Sequence, residues 1–61
     1  MQPLRVLQQI AANLDRLDDP QDVHRAMDEV EFVFDLLPPE FQDQADDLMQ
    51  RLRRRLQTLQ A

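Results

Sequence analysis

His24 is the only histidine in a chain of 61 residues, and Asp28 follows it four positions later, so this pair is where proton-transfer chemistry would be sought first. A general base needs a nucleophile to act on and a third group to orient it. The chain has no cysteine, serine or tyrosine, and its one threonine, Thr58, lies near the end. Zinc in turn demands three or four convergent ligands, which one histidine with a nearby aspartate does not supply. His24 is therefore read as a surface residue on the polar side of a helix. The expectation is a protein that is not an enzyme and that holds no cofactor and no metal.

Two charged clusters invite a similar test. Asp43, Asp46 and Asp47 could attract a cation, but calcium loops alternate oxygen ligands around a glycine turn, and the chain contains no glycine. They fit a solvated helix face. The stretch Arg51 to Arg55, RLRRR, is the one basic patch. Its arginines splay around Leu52 over more than half the helix circumference, and no aromatic residue stands beside them for base stacking. Duplex affinity comes from clustered cations, whereas this chain carries a net charge of -5. Nucleic acid is not an expected partner. A compact helix-turn-helix DNA binder is the last-ranked reading, because the first turns of its recognition helix would carry Glu40, Asp43, Asp46 and Asp47 where phosphates must be met.

The string Asp18-Asp19-Pro20-Gln21-Asp22 has the spacing of the aspartate-rich DDxxD motif with which prenyl synthases hold magnesium diphosphate. Those enzymes need a large helical cavity that a chain of this length cannot enclose. Helix capping accounts for the proline as well as the acids: Asp19 caps, Pro20 takes the first helical position, and Asp22 meets the positive end of the helix dipole.

The elements that position these residues are helices punctuated by proline. Leu4, Leu7, Ile10, Ala11, Leu14 and Leu17 recur at three-and-four spacing behind Pro3, with Val6 widening one edge. At ~100° per residue this face spans roughly 160°, enough to touch two neighbours. In the second segment Val23, Ala26, Met27, Val30, Val33, Phe34 and Leu37 fall on one sector. Pro38 and Pro39 then stop the helix and start the next. The third segment carries Phe41, Ala45, Leu48, Met49, Leu52, Leu56 and Leu59 on a narrow stripe, with aspartates early and arginines late, as the dipole favours. Asp47 and Arg51 form an acid-before-base pair four residues apart.

Short connections force antiparallel neighbours. The expected fold is all-α, a small antiparallel three-helix bundle with helices over about residues 3–17, 20–37 and 39–60, forming one domain over 1–61 that homodimerisation would complete. No stretch approaches the ~18 apolar residues that would span a bilayer, and the N-terminus lacks the layout of a signal peptide. With a first Met and no tail, the chain reads as a complete cytoplasmic protein.

One feature of the second helix is not used up by this fold. Phe32 points roughly 160° away from its core face, with Leu36 one turn on and charged neighbours around them. An apolar spot rimmed by charge is the usual form of a contact site. Phe32, Leu36, Arg25 and Glu29 are therefore the expected interface with another protein or with a second copy. Leu56, Leu59, Arg53 and Arg54 form a secondary one, because the end of the third helix is expected to outrun the first and leave its leucines uncovered. The leading functional expectation is a small interaction module or adaptor. The alternative is an acidic regulator that occupies a basic site of a nucleic-acid-binding protein.

Overall fold

The side chain of Asp19 accepts a hydrogen bond from the Gln21 N–H at 2.9 Å, and its carbonyl accepts from the Asp22 and Val23 N–H groups. With Pro20 at the first helical position, this is the capped start expected for the second helix. The computed structural model describes residues 2–60. Its elements are α1 (Pro3–Asn13), a single 3-10 turn (Leu14–Arg16), α2 (Pro20–Phe34) and α3 (Pro39–Gln60). No strand occurs among the described residues.

The expected three-helix bundle is the observed one, and the bounds of α3 are those read from the sequence. The other two helices end early. α1 stops at Asn13 rather than running regularly to residue 17. Beyond Asn13, whose side chain donates to the Gln9 carbonyl at 2.9 Å, the chain tightens into the 3-10 turn, and the Leu17 N–H bonds the Leu14 carbonyl three residues back. α2 stops at Phe34 rather than 37. The Leu36 and Leu37 N–H groups bond the Val33 and Phe34 carbonyls three residues back, at 2.9 and 3.2 Å, so the chain leaves the helix in a tight turn. Pro38 enforces this by excluding its predecessor from the helical region. Leu36 consequently sits in the elbow between α2 and α3 and not on α2, as the sequence reading had it.

The core lies along the bundle axis and is entirely apolar among the described residues. α1 contributes Leu7 and Ile10; α2 contributes Val23, Ala26, Val30 and Val33; the elbow adds Leu37; α3 contributes Ala45, Leu48 and Leu52. The α2–α3 pair packs most extensively and α1–α3 least. That difference accounts for Ala11, which was expected on the apolar face of α1 but is exposed at the mouth of the α1–α3 groove. The long dimension of 35 Å is close to the ~33 Å that 22 helical residues of α3 require.

Candidate interaction surface

α2 buries Val23, Ala26, Val30 and Val33, which fixes its rotation, and that rotation turns Phe32 outward. Phe32 is 66% exposed and Leu36 55%. They are the two large hydrophobic side chains left in solvent among the described residues.

Phe32 does not stand alone. It lines a groove between α1 and α2 with Val6, Arg25, Asp28, Glu29 and Val33. Three of the expected interface residues, Phe32, Arg25 and Glu29, are thus brought together, and Leu36, out in the elbow, does not line the groove. Asp28 and Val33 also line it from outside the expected set, and Val6 is the one member contributed by α1. Its signal was its position at the edge of the apolar face of α1, where a residue contacts the next helix without being covered by it. A second groove continues the first, sharing Val6, Arg25 and Glu29 and extending past Ile10 and Ala26 to Leu17 and Asp22. Among the described residues the ion pair on its rim is Arg25 with Asp22, at 4.0 Å and mostly exposed, so it contributes little to stability.

The secondary patch is not an uncovered one. Leu56 and Leu59 are partly buried and pack against the core, and Arg55 beside them reaches the Leu17 carbonyl. Arg53 lines a different groove, between α2 and α3, with Phe34 and Met49. Arg54 is exposed, and its carbonyl accepts from the Thr58 hydroxyl at 3.0 Å. These four residues are not gathered on one apolar surface.

Arg55, read only as part of a basic run, has a specific place. Its Nε donates to the Leu17 carbonyl at 3.0 Å, and its Nη2 donates to the Asp15 carbonyl at 3.3 Å and to Asp18 Oδ1 at 3.1 Å. The last carbonyls of a helical turn have no partners within it and carry partial negative charge, so a guanidinium fork suits them. The available signal was its position three residues after Leu52, which puts it at ~60° from a wholly buried side chain, on the edge of the core stripe.

The remaining charged residues lie on open surface. His24, Asp28, Asp43, Asp46 and Asp47 are all exposed, and Asp47 makes the expected ion pair with Arg51 at 3.0 Å. Among the described residues no three histidine or carboxylate groups converge to hold a metal, and no helix is long and apolar enough to cross a membrane. What the geometry offers is therefore a shape and a charge pattern on one face of the bundle. Compared with protein-family models, curated proteins and solved structures, the chain matches none of them.

Proposed function

We propose that this chain is a non-catalytic cytoplasmic interaction module that docks on another protein, or on a second copy, through the α1–α2 face centred on Phe32. The observation that carries this reading is the 66% exposure of Phe32 in a groove whose rim is charged. Burying the exposed two thirds of the Phe32 side chain is worth about 1–2 kcal/mol, which docking recovers. An aromatic anchor inside a polar rim is the arrangement in which interface energy concentrates. A second copy would, in addition, enlarge a core that 61 residues keep small.

The second reading, an acidic regulator on a basic site, draws on the exposure of Asp15, Asp18, Asp19, Asp22, Asp28, Glu29 and Glu31. The two readings part on salt: apolar docking weakens little as ionic strength rises, and charge-led docking weakens steeply. Light scattering after size exclusion, together with affinity capture from the source cell, tests the leading reading on wild type and on Phe32→Asp with Leu36→Asp. The expected result is a dimer mass or a captured protein that the variant loses. A monomer whose captured proteins are the same with and without the substitutions refutes it.

A further inference from the structure

We infer that the occupant of the α1–α2 trough is a basic amphipathic helix of a partner protein, laid in as a fourth helix of the bundle, and not a second copy of this chain. This rests on the interaction-module reading and names its partner by chemistry. The first argument is shape. The two grooves share Val6, Arg25 and Glu29, so they run as one trough. Along α2 it extends from Asp22 to Val33, eleven steps or about 16 Å, the length of three helical turns. Its floor is apolar, with Val6, Ile10, Ala26 and Val33 between Leu17 at one end and Phe32 at the other. A helix with apolar anchors at every third or fourth position fits such a groove.

Charge selects which helix. The α1 rim, Gln9 and Asn13, is uncharged. The α2 rim carries Asp22, Arg25, Asp28 and Glu29, of which Arg25 lies 4.0 Å from Asp22 and offsets it. Asp28 and Glu29 are left without an ion pair among the described residues, and both flank Phe32. The complementary helix carries Lys or Arg beside its apolar stripe, on the side that meets α2.

The same two acids disfavour a second copy. A two-fold pairing of α2 with its mate that seats each Phe32 against the other's Arg25 centres on Asp28 and Glu29, and it sets four carboxylates around the axis of a chain already at -5. The chain's own basic stretch cannot serve as the fourth helix, because Leu52 is wholly buried and Arg55 is engaged with the α1–α2 connection.

A synthetic 14-residue Leu/Lys amphipathic peptide, with a Leu/Glu peptide of the same pattern as control, is the probe. Affinity is measured by fluorescence anisotropy at low and high salt, and the site is mapped by amide chemical shifts. Shifts along the trough are expected, with binding of Leu/Lys at least tenfold tighter than Leu/Glu. Phe32→Ala should weaken it about tenfold. Asp28→Asn with Glu29→Gln should weaken it several-fold and flatten its salt dependence. All three positions are exposed, and circular dichroism verifies that the variants fold. Absence of binding, shifts centred elsewhere, equal affinity for both peptides, or indifference to Phe32→Ala overturns the inference. If the peptide fails while wild type is a dimer that Phe32→Asp dissociates, the occupant is a second copy and the interaction-module reading stands. If the peptide fails and wild type is a monomer with an unchanged capture profile, both fall.

Discussion

Where α1 gives way to α2, the guanidinium of Arg55 reaches across from α3 and engages two carbonyls and a carboxylate. Where α2 gives way to α3, no side-chain hydrogen bond closes the turn among the described residues, and Phe32 and Leu36 stand in solvent beside it. Both connections are short and proline-bounded, so the difference does not come from their length or from proline. It comes from what each turn leaves unsatisfied. At the clamped end the surplus is polar, the unpaired carbonyls of a helical turn, and the molecule satisfies it internally. At the open end the surplus is apolar, and satisfying it takes another molecule.

The strongest way to break this comparison is in the core near the clamp. Leu52 has no exposed surface and lies one turn before Arg55. Leu52→Ala should cost about 2–5 kcal/mol through lost burial and the cavity left behind. A bundle of this size commands about 3–5 kcal/mol in total, so the variant should be largely unfolded at 25 °C, as followed by circular dichroism at 222 nm with urea titration. A urea midpoint close to wild type would mean that the folding free energy resides elsewhere.

A smaller effect sharpens the account of the clamp itself. Arg55→Ala removes hydrogen bonds to the Leu17 and Asp15 carbonyls and should lower stability by about 1–2 kcal/mol, since charge-assisted bonds to partly buried groups exceed neutral ones. Asp18 is 86% exposed, so its pairing with Arg55 is heavily screened, and Asp18→Asn should cost less than about 0.5 kcal/mol. The two midpoints measured at low and high salt separate the contributions. If Asp18→Asn costs as much as Arg55→Ala, the clamp is an ion pair and not a cap on the helix end.

These ends were not equally legible in the sequence. Capping by Asp19, the start of α3 at Pro39 and the pairing of Asp47 with Arg51 follow from local rules acting within one turn, and the structure has all three. Local rules also turn Phe32 away from the core, because helical rotation depends only on which neighbours are apolar. They missed the ends of α1 and α2. There the change to a 3-10 turn after Asn13, and a tight turn ahead of Pro38, decide the last residues. The role of Arg55 was out of reach for a different reason: its acceptors lie 37 to 40 residues away, and nothing in the run RLRRR distinguishes it from the arginines beside it except its register with Leu52. The partial burial of Leu56 and Leu59 likewise depends on long-range packing, which only the assembled fold sets.

The smallest expected effect is the most telling about the open end. Phe32 and Val33 are neighbours on α2, yet the first is 66% exposed and the second 1%. Phenylalanine and serine have similar helix propensities, so Phe32→Ser changes the backbone preference little. It also removes a ring that already faces water, which limits the loss to about 0.5 kcal/mol in either direction. Val33→Ser, by contrast, leaves a hydroxyl in an apolar core and should cost about 2–4 kcal/mol. Urea midpoints of the two variants decide between two descriptions of this end. If Phe32→Ser costs more than about 1 kcal/mol, the ring acts as a lid on the core and its stabilising role lies within the bundle. If it costs nothing and removes peptide binding, the ring is maintained on the surface by the packing of Val33 beneath it, and its stabilising partner lies outside the chain.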